Sequence, residues 1–528
     1  MDPNRIKKYK PSPVMDLPDR QWPARRLVTP PQWCSVDLRD GNQALANPMS
    51  FEQKLLMFHL LVKIGFKEIE VGFPSASDVE FRFIRHLIDN NLIPDDVTIQ
   101  VLTPATAVLI ERTCDAIVGA KNVIVNLYLS TSQVHAEIVL KKNLSELMDM
   151  AVHATRVLRQ ALSLRQQCAH FLFAPEHFTD SDMAFVVSIC DAVVAEWGGE
   201  DIVRINLPAT VERLTPNVFA DRVEWFGRHL RSRDRVILSV HTHNDRGTAV
   251  AATELALLAG AERVEGTLFG NGERAGNVDL VTLALNLYSQ GINPGLNLQD
   301  IEEMIAVSNR CTQIAPHPRH PYVGDLVFTA FSGAHQDAIA KGIAALSDQA
   351  SDQIIWQVPY LTIDPADIGR KNVALIRINS QSGKSAIAYV LETKFGVKIP
   401  QAMRAELAAL VQSHVNRTGG ELSATALWAL FTQAYLTECD PLALISCDAV
   451  TRQDDWVEVL LVVRHQDQNR ELKATASCFN DACQQAIVSL YPHCRFLHCC
   501  HQTVDNQPDA DFIAFSQVMD GANTCFGV

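Results

Sequence analysis

The residues best suited to catalysis or metal binding are two histidines that lie at the end of a short apolar run. The run Val236–Val240 leads directly into a His-x-His motif formed by His241 and His243. If the run is a buried strand, its side chains alternate between two faces, so both histidines project the same way. Two adjacent imidazoles can bind a divalent metal, which still needs oxygen ligands from elsewhere. Alternatively, the two histidines have no metal and are simply hydrogen-bonded beside a loop. The rest of the sequence is needed to choose between a metal site and this structural role.

Short β-prone runs alternate with helical patterns through residues 33–296. Eight strand-then-helix units of this size are typical of a (β/α)8, or TIM, barrel. A doubly wound open sheet is the alternative, but it needs a glycine-rich phosphate turn after the first strand, and residues 40–42 (Asp-Gly-Asn) do not supply one. The eight runs are Trp33–Leu38, Glu68–Gly72, Val97–Leu102, Asn122–Tyr128, His170–Phe173, Ile202–Leu207, Val236–Val240 and Val264–Phe269.

In such a barrel the chemistry lies at the C-terminal ends of the strands. Asp40, together with His241, His243 and an amide from the last loop, would form a mixed nitrogen and oxygen site that polarises a carbonyl group. This convergence favours the metal interpretation. The full set selected by the rule is Arg39, Asp40, Glu70, Glu176, Asn206, Thr210, His241, His243 and the loop 271–277.

Changes in pattern along the chain predict four segments. Residues 1–32 are proline-rich and have few periodic apolar positions, which predicts an extended arm over the first domain or a partner subunit. The barrel occupies 33–296, and 297–436 has the pattern of helical linking subdomains. Residues 437–528 combine β-type runs with one helical stretch and predict a small α/β domain. The fold class is therefore α/β, a TIM barrel followed by mainly helical subdomains and a small C-terminal α/β domain.

Composition excludes several classes of protein. Of the 528 residues, 46 are basic and 60 are acidic, giving a net charge of −14 that argues against nucleic-acid binding. No basic block suggests a membrane surface, no apolar run is long enough to span a bilayer, and the N-terminus lacks the apolar core of a signal peptide. The 13 cysteines are an odd number without framework spacing, which predicts free thiols in a cytoplasmic protein.

Five motifs resemble those of the 2-isopropylmalate synthases, in their longer form. This family belongs to the Claisen-condensing acyltransferases, which also include the homocitrate and citramalate synthases. The resemblance extends from about Tyr9 to Leu436, and it implies a homodimer with a catalytic barrel, two linking subdomains and a C-terminal regulatory domain. The motifs are residues 37–43 (DLRDGNQ), 69–74 (IEVGFP), 206–212 (NLPATVE), 241–245 (HTHND) and 270–277 (GNGERAGN).

The resemblance implies a divalent cation, either Mg²⁺, Mn²⁺ or Zn²⁺, held by Asp40, His241, His243 and Asn277. Asn271 is the weaker candidate for the amide ligand. The cation would bind the ketone and carboxylate oxygens of a 2-oxo acid and draw charge off the ketone as acetyl-CoA attacks. No nucleic-acid or membrane partner is implied.

The resemblance also implies the catalytic and substrate-binding residues. Arg39 would neutralise the developing oxyanion, and Glu176 with His335 would form the acid/base pair that removes a proton from the methyl group of acetyl-CoA. His335 would come from a linking subdomain, across the dimer. Thr210 would contact the substrate carboxylate, and the predicted substrate site is completed by Glu70, Asn126 and Ala174.

Two of these positions depart from the family pattern. Asn126 stands where the family usually has histidine, and Ala174 stands where it usually has serine. Both lie at one side of the predicted barrel mouth, which becomes less polar while the metal set is kept. We therefore predict a 2-oxo acid with a larger or more apolar side chain than 2-oxoisovalerate. Neutral drift in an ordinary leucine-pathway enzyme is the competing explanation.

Other interpretations remain open at this point. A metal-dependent acyl-CoA lyase of the hydroxymethylglutaryl-CoA lyase type shares the Arg-Asp pair and the His-x-His. Such lyases end soon after the eighth strand, whereas residues 297–528 continue this chain and contain His335. A non-catalytic relative is disfavoured by the intact metal set. In the C-terminal domain, Ser477–Asp481 occupies the position of the family's glycine-rich turn and contains no glycine. Glycine turns let the backbone approach a ligand closely, so their loss predicts weak or absent inhibition by leucine.

Overall fold

The computed structural model describes residues 5–9, 11–347, 355–370, 378–380, 382–436, 442–452, 456–503, 512–520 and 523–527. The chain forms two compact units. One contains residues 1–327 and 365–371, and the other contains 328–364 and 372–528. This is a coarser division than the four segments expected from the sequence, whose limits stay predictions. Within the described ranges, no helix combines the length and apolar character needed to cross a membrane.

Eight parallel strands close into a barrel in the first unit, so the predicted (β/α)8 fold is confirmed. The strands follow one another in chain order around the barrel, and β1 pairs with both β2 and β8 to close it. The strands are β1 Gln32–Ser35, β2 Glu68–Gly72, β3 Thr98–Pro104, β4 Val123–Ser130, β5 His170–Glu176, β6 Val203–Ala209, β7 Val236–Thr242 and β8 Arg263–Gly266.

The first and last strands are shorter than their apolar runs suggest. After β1 the chain turns into a wide helical turn, Asp37–Gly41, instead of continuing to Leu38. The buried Asp37 carboxylate explains the change, because it accepts hydrogen bonds from the Ser35 hydroxyl and the Leu268 backbone N–H, both 2.8–3.1 Å away. These bonds tie the end of β1 to the end of β8. The turn presents Arg39 and Asp40 at the barrel mouth.

Helices cover the outside of the barrel, and several begin at good capping residues. Ser50 and Gln53 form a reciprocal capping box at the start of α1, and Asn143 with Glu146 does the same for α5. The helices of this unit are α1 Phe51–Ile64, α2 Asp78–Asp89, α3 Ala107–Ile117, α4 Gln133–His135, α5 Leu144–Leu164, α6 Met183–Trp197, α7 Pro216–His229, α8 Ala249–Leu258, α9 Leu280–Tyr288 and α10 Ile301–Thr312.

The proline-rich arm packs on α7. Arg20 forms an ion pair with Asp221, with Nε 2.8 Å from Oδ1, and the Trp22 indole donates to the same carboxylate. The backbone N–H groups of Gln21 and Trp22 donate to Glu224. These contacts satisfy two buried carboxylates of α7 and hold the arm against the barrel.

The second unit is built from helices and two antiparallel sheets. Buried side chains of α12, α13 and α14 form one apolar core, and α15 packs on the sheet of β9, β10 and β11 through Ala482 and Ala486. The small α/β region expected at the C-terminus is confirmed. Its elements are α11 Gly333–Ser347, α12 Lys384–Phe395, α13 Arg404–Thr418, α14 Ala424–Phe431, β9 Leu442–Thr451, β10 Val457–His465, β11 Gln468–Ala476, α15 Phe479–Val488, β12 Cys494–Thr503, β13 Phe512–Asp520 and β14 Asn523–Gly527.

The floor of the barrel interior is charged. Arg263 of β8 is fully buried, and its guanidinium donates to Glu68, Gln100, Ser239 and Glu265. A buried arginine is tolerated only when its donors are paired, and here each nitrogen has an acceptor. Arg263 thereby provides a buried counter-charge to Glu265 and shares Glu68 with Arg204.

Replacing Arg263 should strongly destabilise the barrel. Arg263→Met leaves Glu265 without its buried counter-charge, and we expect the free energy of unfolding to fall by about 3–5 kcal/mol. Urea unfolding followed by tryptophan fluorescence measures this change. Arg233→Met is the matched control, because its ion pair with Glu262 is partly exposed and should contribute less than about 1 kcal/mol. Equal losses in the two variants would contradict the structural role assigned to Arg263.

Candidate active site

The C-terminal ends of the strands open on a cavity of about 230 Å³. Most of the residues that the sequence placed in the site line it, while Glu70 lies behind the wall, Asn277 lies beside His243, and His335 belongs to the second unit. The predicted residues that line the cavity are Arg39, Asp40, Asn126, Ala174, Glu176, Asn206, Thr210, His241 and His243.

Three of these side chains converge on one point. Asp40 Oδ2 lies 3.4 Å from His241 Nε2 and 3.7 Å from His243 Nε2, and all three residues are buried. Burial raises the pKa of Asp40, but Arg39 and the two histidines outweigh it and hold the pKa well below its usual range. The carboxylate is therefore ionised and available as a ligand.

Two buried oxygens around this point are unsatisfied. Neither Asp40 Oδ2 nor Asn277 Oδ1 has a hydrogen-bond partner among the residues that the structure describes. An isolated buried oxygen is costly, and a bound cation removes that cost. Asn277 lies opposite His243 across an isolated antiparallel bridge, whereas the Asn271 amide donates to the Gly41 carbonyl at 3.0 Å. The donor set of one carboxylate, two imidazoles and one amide fits a divalent metal ion.

Both histidines are oriented through the ring nitrogen that faces away from Asp40. His241 Nδ1 lies 3.0 Å from Glu265 Oε2, and His243 Nδ1 lies 3.3 Å from the Gly276 carbonyl. Such partners fix the tautomer that presents Nε2 as a ligand. Glu265 is itself held by Asn206, Gln100 and Arg263 at 2.8–2.9 Å. Sequence reasoning missed Glu265, although a glutamate inside a barrel strand was a usable signal.

Arg39 is locked beside the candidate ligands. Its Nε lies 2.5 Å from Glu70 Oε2, and Nη1 lies 3.3 Å from Asp40 Oδ1. Glu70 is fully buried and also accepts from the Gln100 amide at 3.0 Å. The carboxylate of Glu70 thus holds Arg39 in place, and its predicted contact with substrate stays a prediction. Arg39 also lines the cavity, where its charge would stabilise a developing negative charge.

Glu176 ends β5 on the cavity wall. Burial raises the pKa of its carboxyl, and the charges of His135 and Arg39 offset only part of this rise. The backbone carbonyl of Glu176 accepts from the Thr131 N–H at 2.9 Å, which fixes the end of the strand. A carboxylate with a raised pKa in a cleft is suited to general-base chemistry.

Thr210 supports the loop that follows Glu176. Its hydroxyl accepts the backbone N–H of His177 at 2.8 Å, and the hydroxyl proton remains able to donate into the cavity. Its backbone carbonyl accepts from Arg274, which also forms an ion pair with Asp245 at 2.7 Å. Arg274 and Asp245 therefore join the loops after β6, β7 and β8 at the rim.

The side of the cavity formed by β3, β4 and β5 is mostly apolar. Leu102 and Asn126 pair across β3 and β4, and Tyr128 and Ala174 pair across β4 and β5. Ala174 belongs to a small apolar cluster with Ile124 and Leu172, against which Tyr128 packs. Sequence reasoning found Asn126 and Ala174 but missed Leu102 and Tyr128. Strand alternation would have placed all four inward.

His335 lies in the first turn of α11. Its side chain is exposed, and its ring stacks on Tyr360 with the centroids 3.9 Å apart. Both residues belong to the second compact unit. The pairing of His335 with Glu176 as acid and base stays a prediction.

Comparison with known proteins gives a consistent classification. A model described as HMGL-like matches residues 30–307, and one described as alpha-isopropylmalate synthase, post-catalytic domain-like, matches 325–392. The barrel therefore belongs to the HMGL-like class. A solved structure of the HMG-CoA lyase from Brucella melitensis aligns with a TM-score of 0.44 and 17% identity, covering 54% of this chain and 100% of that chain.

Full-length relatives narrow the classification. The 2-isopropylmalate synthase of Ralstonia nicotianae is 46% identical over 527 residues, which cover 99% of this chain and 91% of the relative. The enzyme of the same name from Pseudomonas syringae pv. syringae is 52% identical over 443 residues, which cover 83% and 79%. The chain belongs to the 2-isopropylmalate synthase family, as the motifs predicted.

Metal binding should depend on the converging residues and on the partner of His241. Asp40→Ala should abolish binding of Mn²⁺, and Glu265→Gln should weaken it by about 10–100-fold because the imidazole loses its orienting carboxylate. Titration calorimetry and the electron paramagnetic resonance signal of free Mn²⁺ measure the affinity directly. Glu273→Gln removes a half-buried carboxylate at the same rim that lies outside the converging set, and it is the control. Full Mn²⁺ affinity in Asp40→Ala would place the cation elsewhere.

Proposed function

We propose that this chain condenses acetyl-CoA with a 2-oxo acid, giving a 2-alkylmalate and free CoA, with the help of a divalent cation. The observation that supports this most directly is the placement of two unsatisfied oxygens, on Asp40 and Asn277, beside two oriented histidines in the cavity that also contains Glu176. The family relationship supports the same reaction. Mg²⁺, Mn²⁺ and Zn²⁺ are the candidate cations.

The bound cation would act as a Lewis acid that polarises the ketone of the 2-oxo acid. The protein residues supply the rest. The Thr210 hydroxyl donates to the substrate carboxylate, which orients the ketone carbon toward the incoming nucleophile. Arg39, fixed by Glu70, stabilises the negative charge that develops as the ketone is attacked. These positions are set before substrate arrives, so little reorganisation is needed in the transition state.

Glu176 removes the proton from the methyl group of acetyl-CoA. The resulting enolate carbon forms a bond to the ketone carbon, and the ketone oxygen takes up a proton as the hydroxyl of the product. Water then cleaves the thioester, so that the acyl carbon becomes the second carboxylate and the sulfur leaves as the CoA thiol. We assign His335 to the acid/base steps with Glu176, from the partner subunit of a homodimer. The homodimer and the cytoplasmic location rest on family resemblance and cysteine content.

The apolar side of the cavity selects the side chain of the 2-oxo acid. Leu102, Tyr128 and Ala174 present no charge there, so a second carboxylate on the substrate would be buried without a partner. We propose a neutral, apolar side chain, larger than the isopropyl group of 2-oxoisovalerate. The small Ala174 side chain beside the Tyr128 ring is the position that accommodates the extra volume.

The reaction is tested by release of free CoA thiol from acetyl-CoA with a panel of 2-oxo acids. Glu176→Gln should lower kcat by at least about 100-fold, because the base is removed. In the unsubstituted protein the rate should fall as the pH drops through the raised pKa of Glu176, above the ordinary glutamate value of about 4.3. Glu137→Gln, an exposed glutamate of the loop after β4, is the control. Cleavage of 3-hydroxy-3-methylglutaryl-CoA without any condensation would contradict the proposed condensation and would support acyl-CoA lyase activity instead.

Substrate choice is tested by filling the apolar side. Ala174→Leu should lower kcat/KM for a bulky acid such as phenylpyruvate by at least about 10-fold, and for 2-oxoisovalerate by less, because an overpacked wall excludes larger groups first. Ala184→Leu, an exposed site on α6, should change neither value. If 2-oxoisovalerate is the best substrate of the unsubstituted protein, the departures at Asn126 and Ala174 are neutral drift.

A further inference from the structure

The residue after Glu176 has an unusual backbone. His177 lies in the left-handed region, with φ at +62° and ψ at 31°. This region is sterically disfavoured for residues with a Cβ atom, and it persists where the surroundings enforce it. Here Thr210 accepts the N–H of His177 at 2.8 Å, and the carbonyl of His177 accepts from the Ser181 hydroxyl and the Asp180 N–H, each at 2.8 Å. The turn fixes the direction in which Glu176 leaves the strand.

The side chain of His177 is held beside the Glu176 carboxylate. Its Nδ1 lies 3.0 Å from the Ser130 hydroxyl and 3.8 Å from Glu176 Oε2. Ser130 is buried, and it pairs with Glu176 across β4 and β5. The ring of His135 also lies near the His177 ring, with the two centroids 5.1 Å apart. The imidazole is therefore positioned by neighbours on three segments of the rim.

His177 should remain uncharged at neutral pH. Burial lowers the pKa of its imidazole to about 4, and the charges of His135, Arg213 and Arg274 act in the same direction. The groups that face Glu176 are His135, Arg39 and the Tyr128 phenol, in addition to His177 itself. A neutral neighbour does not stabilise the carboxylate, whereas a cation at the same place would make it a weaker base.

We propose that His177 is a positioning residue for Glu176: the left-handed turn aims the carboxylate, and the Ser130-bound imidazole fills the adjacent space with an uncharged group that keeps the carboxylate basic. This rests on the proposed role of Glu176 as the base that deprotonates acetyl-CoA. The steps of the proposed reaction assign no role to the hydrogen-bonded pair Ser130 and His177, and the positioning of Glu176 would be its function.

The test compares the pH dependence of kcat in three variants. His177→Lys places a cation beside Glu176, and the acidic limb of the profile should move down by about one pH unit, with a several-fold lower plateau. His177→Asn is uncharged and tolerates a left-handed backbone, so its limb should stay in place. Val108→Lys adds the same charge at an exposed site and is the control. KM for the 2-oxo acid should change less than about 2-fold in all three.

The outcomes separate the two proposals. An unmoved limb in a folded His177→Lys protein, or an equal shift in His177→Asn, would overturn the role of His177 while leaving Glu176 as the base. Full activity of a Glu176→Gln protein would instead show that Glu176 is not the base, and it would reject the proposed role of Glu176. If His177→Lys does not fold, Ser130→Ala decides, because loss of its hydroxyl should lower kcat several-fold without changing KM. Unchanged kcat in Ser130→Ala would reject the positioning role.

Discussion

The candidate active site depends on one buried carboxylate, Glu265. It accepts from Arg263 on the side of the barrel floor and faces the ring of His241 on the side of the mouth. Without Arg263 the carboxylate could not stay ionised in the interior, and without the carboxylate the imidazole would have no fixed orientation. Stability of the barrel and geometry of the candidate metal site are therefore linked through a single side chain. Gln100 extends the link, since it bonds both Glu265 and the Glu70 that holds Arg39.

The mouth of the barrel divides into two sides with different physical character. The loops after β1, β7 and β8 supply charged and amide groups, and strands β3 to β5 supply a nearly uncharged wall that ends at Glu176. A 2-oxo acid has the same division, with the ketone and carboxylate oxygens at one end and a side chain at the other. Glu176, the proposed base, ends β5 where the two sides meet. This arrangement explains why one cavity can serve both substrates of the condensation.

The sequence predicted the fold, and most of the strand-end residues it selected line the cavity, while their roles stay predictions. Physical reasons explain what the sequence missed. His241 lies on β7 and His243 directly after it, and the two-residue spacing predicted that they share a face. Asp40 follows β1, which is distant from β7 in the sequence, and the location of chemistry at the C-terminal strand ends of a barrel predicted that it meets them. The partners of those residues were harder to find. Glu265 lies inside a strand, where an apolar residue is the usual expectation. The left-handed backbone at His177 could not be predicted from the sequence, because tertiary contacts impose it at a residue that is not glycine.

The early end of β1 has a similar cause. Leu38 continues the apolar pattern of the strand, but the hydrogen bonds of Asp37 to Ser35 and Leu268 turn the chain first. Local propensity alone does not include bonds to a residue more than two hundred positions away.

The most direct test of this account is a crystal structure of the protein with Mn²⁺ and a 2-oxo acid, with anomalous scattering used to locate the metal. We expect one strong anomalous peak within about 2.3 Å of oxygen or nitrogen atoms of Asp40, His241, His243 and Asn277. The ketone and carboxylate oxygens of the acid should complete its coordination, with the side chain directed toward Ala174. A peak at another position, or an acid bound away from this point, would contradict the proposed site.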